Sequence, residues 1–170
     1  MLETIDRTSE NRERMVQEQI AARGVCDPRV LAAMREVPRE LFLREGLEEF
    51  AYDDTPLPIE SDQTISQPYI VAYMTECLRL AGSEKVLEIG TGSGYAAAVL
   101  GEIASQVYTV ERYANLAENA TRRLARLGYE NVHVLHGEAR HTEYIEPRGN
   151  RHRLPPVGAA AAPGQVRLLG

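Results

Sequence analysis

The residues best suited to chemistry lie in one ten-residue stretch, Val86-Leu87-Glu88-Ile89-Gly90-Thr91-Gly92-Ser93-Gly94-Tyr95. Glycines in a turn let the backbone approach a ligand closely, and a helix that follows presents unpaired N–H groups at its start. The apolar run Lys85 to Ile89 precedes the turn and the Ala-rich run Tyr95 to Ile103 follows it, which predicts strand, glycine-rich turn and helix. A dinucleotide fingerprint, GxGxxG, would need glycine or alanine at Tyr95. The GxGxG found here, preceded by the acid Glu88, suits a smaller adenosyl ligand better than a pyrophosphate. Glu111 lies 21 residues after Gly90, at the end of the next predicted strand, where a carboxylate can accept both hydroxyls of a ribose. The binding candidates are therefore Gly90, Thr91, Gly92, Ser93, Gly94 and Glu111.

Four other groups of residues invite a chemical reading. Ser66 stands two residues before Pro68, where its hydroxyl could orient a ligand or cap the helix that begins there. His133 and His136 have no cysteine or carboxylate at metal-ligand spacing, which points to strand and loop positions and to no metal. Asp53 and Asp54 are neighbours in an extended segment, so their side chains point apart and make a poor acid/base pair. Cys77 falls on the apolar stripe of its predicted helix, a core position.

These residues need a scaffold that alternates strands and helices. Strands are expected at Lys85 to Ile89, Gln106 to Val110 and Asn131 to Leu135, and helices at Tyr95 to Ile103 and Asn115 to Leu127, the last ended by Gly128. Such an alternation predicts an α/β fold with a parallel, doubly wound sheet. Upstream, residues 7 to 23 read as a helix stopped by Gly24, and Asp27-Pro28 as a second helix start. From Pro68 a third helix runs toward Gly82, with Ile70, Val71, Met74, Cys77 and Leu78 on one face. Tyr52 to Thr64, with Pro56 and Pro58, is expected to be a long working loop. The organisation is thus residues 1–82, helical with the loop; 83–138, a βαβαβ core; and 139–170, an irregular tail.

Composition narrows the function. The chain has 170 residues, 44% hydrophobic, and fits one domain. No apolar run is long enough for a membrane helix, and Met1 to Arg14 lacks the apolar stretch of a secretory signal. Cys26 and Cys77 form no CxxC pair, which leaves a reducing cytoplasm as the expected setting. Residues 1–139 hold 14 Lys+Arg against 23 Asp+Glu, and only Lys85 is a lysine, so nucleic acid is not expected as the main partner.

The blocks Arg14-Met15-Val16, Val25 to Ala33, Val37-Pro38-Arg39, Ala51-Tyr52-Asp53-Asp54, Pro56-Leu57-Pro58-Ile59 and Gln63-Thr64-Ile65-Ser66-Gln67-Pro68-Tyr69-Ile70-Val71-Ala72 resemble, together with the glycine motif, the protein-L-isoaspartate O-methyltransferase family. The resemblance runs from about Arg14 to Gly137, and the QTISQP block is its most specific part. It implies a Rossmann-like fold that binds S-adenosylmethionine and methylates the free carboxylate of isoaspartyl residues in damaged proteins and peptides. By position, Ser66 would be the active-site serine, Gly90, Gly92 and Gly94 would line the methionine part of the cofactor, and Glu111 would hold the ribose. A carboxylate nucleophile, with an ordinary pKa of about 3.5 to 4, is already ionised at neutral pH and needs no general base. Catalysis would then rest on holding it in place in a site closed to water.

The chain departs from the family at Glu60-Ser61-Asp62, where a glycine-containing turn is usual, and at Glu138-Ala139, where Asp-Gly is usual and the acid approaches the adenine. After Ala139 the similarity stops, and residues 140–170 hold 5 Lys+Arg against 2 Asp+Glu. That change resembles a shifted reading frame or a misjoined gene model. It leads us to expect a sheet with an uncovered edge, a disordered tail, marginal stability and weak or absent activity. Two alternatives to protein repair stay open: a methyltransferase of small molecules, which the QTISQP block disfavours, and an inactive remnant or cofactor-binding module, which the lost similarity favours.

Overall fold

The computed structural model describes residues 2–138, 143–145, 151–153 and 166–169. Three parallel strands build the centre: β3 (Lys85–Ile89), β4 (Gln106–Glu111) and β5 (Val132–His136), joined by helices α4 (Tyr95–Gly101) and α5 (Ala114–Arg126). Strand alternation sends Val86, Val107 and Val132 into the main core with the helices. Leu87, Tyr108 and Val110 form a second buried cluster on the other face. In register, Glu88 lies opposite Thr109 and Ile89 opposite Val110.

The N-terminal part packs onto this unit. Helix α1 (Leu2–Arg14) runs on into a π turn at Met15–Ile20 and a 3₁₀ turn at Ala21–Arg23, so the single helix expected over 7–23 changes winding as it goes. Met15, Val16 and Ile20 are buried in that turn, and Gly24, at φ +98°, ends it. Helix α2 (Pro28–Glu36) starts as expected, with the Asp27 carboxylate accepting from Arg29 N at 2.8 Å. The long loop contains a small hairpin, β1 (Leu57–Pro58) against β2 (Thr64–Ile65), and helix α3 (Pro68–Cys77) follows. No helix among the described residues is long and apolar enough to cross a membrane.

Two expectations need correction. The buried face of α3 is Pro68, Val71, Ala72 and Thr75, about one residue position around the helix from the expected stripe. Cys77 is exposed rather than core, and Ile70 and Tyr73 also face outward. Nearly every side chain of this helix is apolar, so periodicity could not set its rotation; polar ties at its two ends do. Asp54 accepts from Tyr69 N at one end, and at the other Glu76 accepts from Cys26 N and Asp27 N, both at 2.6 Å.

The second correction concerns the tail. Most of 139–170, and with it the expected disorder, lies outside the described residues. Yet β6 (Glu143–Ile145) pairs with β7 (Arg151–Arg153), and β8 (Val166–Leu169) runs parallel to β3, with Val166 opposite Lys85 and Leu169 opposite Glu88. The sheet order is β5-β4-β3-β8, so the edge of β3 expected to be bare carries a strand. Val-Arg-Leu-Leu is too short to show a period, and a backbone edge accepts any extended segment without proline.

The rotation of α3 buries Thr75 with its hydroxyl lacking a partner among the described residues. Thr75→Val keeps the shape and removes that unpaired group. We expect a gain of about 1 kcal/mol in a urea unfolding titration.

Candidate active site

The glycine turn leaves β3 at its carboxyl end, where the chain goes on to β4 on one side while β8 lies on the other. That is the position at which open α/β sheets leave a crevice. The turn is fastened to the end of β4. Gly90 N and Thr91 N donate to Val110 O at 2.8 and 3.3 Å, and Gly92 N donates to Glu111 Oε2 at 2.8 Å. The other Glu111 oxygen accepts from Tyr113 N at 3.0 Å. Gly92 takes φ +53°, and a Cβ there would stand 3.4 Å from Ile59 Cδ1 of the hairpin.

Two cavities meet over this turn, both bordered by Thr64, Ile89, Gly90 and Gly92. The larger, about 600 Å³, is an open cleft walled by Glu111, Arg112, Gly137, Glu138 and Gln63. The smaller, about 150 Å³, is walled by Ile65, Ser66, Met74, Glu88, Ser93 and Tyr95. The structure thus brings Ser66, Gly90, Thr91, Gly92, Ser93, Glu111 and Glu138 around two cavities that share the glycine turn as a wall. Gly94 is the exception and lines neither cavity. At φ +90° it lies beneath α5, where a Cβ would be 3.4 Å from Ala120 and Leu124, so its smallness serves helix packing. Thr91 and Ser93 are buried, and their hydroxyls turn away to Thr109 Oγ1 and Tyr95 N, leaving mainly backbone to face a ligand.

Ser66 is exposed on the wall of the smaller cavity, and its hydroxyl makes no hydrogen bond among the described residues. The capping alternative is corrected by the geometry: residue 67 occupies the cap position without a side-chain bond, and the Tyr69 N–H goes to Asp54 Oδ1 at 3.3 Å. Asp54 also accepts from Gln67 Nε2 at 2.7 Å and pairs with Arg23, whose guanidinium lies 3.5 Å from the Tyr69 ring centre. Asp54 therefore holds the segment that carries Ser66. His133 stacks on Tyr108, and His136 contacts Arg112 O.

Sequence reasoning treated Glu88 as part of a motif and overlooked what its position does. Its side chain is buried at the base of the smaller cavity, accepting from the Thr109 hydroxyl at 2.5 Å, while Thr109 contacts Thr91 Oγ1 at 2.7 Å. Burial pushes the Glu88 carboxyl up to about 8; the Thr109 hydrogen bond opposes this and the charge of Glu111 adds to it. Strand alternation from Val86, together with a parallel partner at Thr109, was the available signal.

The family model for protein-L-isoaspartate(D-aspartate) O-methyltransferase matches residues 10–144, a span that holds the hairpin, the glycine turn, Glu111 and Glu138. The chain belongs to this family. Among its relatives, the protein-L-isoaspartate O-methyltransferase of Rhodopseudomonas palustris is 67% identical over 120 residues, covering 71% of this chain and 55% of the relative. Protein-L-isoaspartate O-methyltransferase 2 of Pelobacter propionicus is 62% identical over 127 residues, covering 75% of this chain and 56% of the relative. The chain spans little more than half the length of these two isoaspartate methyltransferases. A solved protein-L-isoaspartate O-methyltransferase superposes with TM-score 0.68 at 34% identity, covering 75% of this chain and 42% of that one. A solved Plasmodium falciparum homologue in complex with S-adenosyl-L-homocysteine shares the fold, with TM-score 0.61 at 22% identity over 81% of this chain and 66% of that one. The Rossmann-like methyltransferase fold expected from the sequence is therefore the fold of this chain.

The buried Glu88 gives this family member a measurable pH signature. Its carboxyl binds a proton more tightly in the folded state than in the unfolded state, where the value is ordinary. From about pH 4.5 upward the unfolded chain loses that proton while the folded chain keeps it, so this group's contribution to stability falls until about pH 8 and is flat beyond. Glu88→Gln should remove that fall. Urea unfolding at a series of pH values should show the variant gaining on the parent between pH 5 and 8, and parallel curves would reject the assignment.

Proposed function

We propose that this chain carries the cofactor cradle and the Ser66 segment of a methyltransferase that esterifies the free carboxylate of L-isoaspartyl residues in damaged proteins. Family membership supports the class of reaction. The observation that carries the reading is the unpaired Ser66 hydroxyl on one wall of a cavity whose other wall is the glycine turn.

The residues present fit S-adenosylmethionine. A Cβ at Gly90 would meet nothing within 4 Å, so the missing side chain leaves open room between the two cavities. Glu111 uses its oxygens on Gly92 N and Tyr113 N but borders the large cleft, and a carboxylate retains lone pairs for hydroxyl donors. Glu138 borders the same cleft, on the side assigned to the adenine. When bound, the cofactor supplies a methyl group on a positively charged sulfur. The chain's own contribution is positional: the Ser66 hydroxyl donates to one oxygen of the incoming carboxylate and orients the other, and the hairpin covers the site from water. No side chain has to remove a proton. Burial raises the hold of Glu88 on its proton, which lessens the negative charge beside the cavity where an anionic substrate would enter. Two free, exposed cysteines, Cys26 and Cys77, accord with the cytoplasmic setting expected from the sequence.

Three measurements test this reading. S-adenosylhomocysteine should raise the melting temperature of the protein, and nicotinamide dinucleotides should leave it unchanged. Glu111→Gln should weaken binding of S-adenosylhomocysteine about 10- to 100-fold, the ~1.5–3 kcal/mol of a hydrogen bond to a charged group. Ser66→Ala should lower methyl transfer from labelled S-adenosylmethionine to an isoaspartyl peptide while keeping stability and affinity for S-adenosylhomocysteine, because Asp54 rather than Ser66 secures α3. Loss of stability without a change in turnover would return Ser66 to a structural role.

A further inference from the structure

The three residues that depart from the family turn, Glu60, Ser61 and Asp62, do not face the cavities. They form the tip of the β1–β2 hairpin, with Ser61 and Asp62 in the left-handed region at φ +58° and +53°. Within the hairpin, Ile59 N donates to Gln63 O at 2.9 Å, Gln63 N to Glu60 O at 3.2 Å and Gln63 Nε2 to Ser61 O at 3.1 Å, which ties its tip to its arms. Its arms touch the site directly: Ile59 rests on Gly92, and Gln63 and Thr64 wall the cleft. Its tip reaches across to α5. The Ser61 hydroxyl donates to Asn115 Oδ1 at 3.0 Å and accepts from Asn115 Nδ2 at 2.9 Å. Beside this contact, Glu60 shares a surface recess with Asn119, Arg122, Arg123 and Arg126; burial lowers the Arg123 guanidinium's hold on its proton, and the charge of Glu60 opposes this.

We propose that Ser61 and Asn115 are positioning residues for the cofactor: their paired contact, aided by Glu60 against the α5 arginines, holds the hairpin over the cleft and sets how long a bound adenosyl ligand stays. Two non-glycine residues in the left-handed region cost free energy, and a turn that only had to reverse the chain would gain from glycine there. The side chain of Ser61, bonded 54 residues away, gives that geometry a use. Both partners lie at the surface, so removing them costs the core nothing.

This inference rests on the cofactor reading above, and one experiment separates the two. Dissociation of S-adenosylhomocysteine would be followed by stopped-flow for the parent, Ser61→Ala, Asn115→Ala, the double variant and Glu60→Gln. The expected result is release about 3- to 10-fold faster in each single latch variant, the double variant matching either one, a smaller rise for Glu60→Gln, and ligand-free melting temperatures equal to the parent's. If the parent does not bind S-adenosylhomocysteine, the cofactor reading falls and the latch with it. If the parent binds and the variants release at its rate, the latch alone falls. Additive effects in the double variant, or melting temperatures that drop in step with faster release, would also overturn it, since the two residues would then be independent or merely structural.

Discussion

The bond from Gly92 N to a Glu111 oxygen is the constraint on which the site depends. A turn that must stand open to a ligand cannot be held by side chains filling its concave side, so its backbone has to be fixed from behind. Here the end of the neighbouring strand does this, with Val110 O taking Gly90 N and Thr91 N and the Glu111 carboxylate taking Gly92 N. Hydrogen bonds to a charged acceptor are worth roughly 1.5–3 kcal/mol, several times a surface contact. Because Glu111 also accepts from Tyr113 N, it ties the start of α5 to the same point. The glycine turn, the end of β4 and the beginning of α5 therefore move as one unit, and the hairpin latches onto that unit through Asn115.

The sheet that supplies this anchor also sets the electrostatics of the cavity floor. Strand pairing places Glu88 against Thr109, and the side chain is buried there. The threonine hydroxyls give the carboxyl a partner but no positive charge, so burial wins and the acid holds its proton well above the usual carboxylate range. Packing and proton affinity are here one property: the fold cannot bury this strand position without altering the acid on it.

Much of this was legible in the sequence where a local signal existed. Strand β3 has the bounds its apolar run announced, and Asp27-Pro28 starts α2 as its chemistry dictates. Legibility failed where the deciding contact is remote. The rotation of α3 depends on Asp54 and on the two N–H groups at Cys26 and Asp27, none of which an apolar ten-residue helix can reveal. That Ser66 does not cap α3 was likewise hidden, because the Tyr69 N–H donates to Asp54, 15 residues away. Gly94 was grouped with the ligand-facing glycines because spacing cannot distinguish a glycine that admits a ligand from one that admits a helix. Strand β8 was missed because four residues carry no period, and only the free edge of β3 gives them a place.

The distribution of charge around the cleft follows from these remote contacts and bears on the choice of ligand. Glu111 and Glu138 border the large cleft, while Glu60 is turned away to the arginines of α5. Two carboxylates against the guanidinium of Arg112 on the same walls favour a ligand that carries a sulfonium and an ammonium group over the pyrophosphate of a dinucleotide. The same acidity would repel the anionic carboxylate of an isoaspartyl substrate if it extended to the smaller cavity, where Ser66 waits. The acid in the lining of that cavity is Glu88, whose burial raises its hold on its proton. Two carboxylates on the large cleft and one buried acid at the smaller cavity give the two spaces different electrostatic surroundings, only a few residues apart along β3 and β4. On the function proposed above, a cationic cofactor and an anionic carboxylate would each meet the region whose charge suits it.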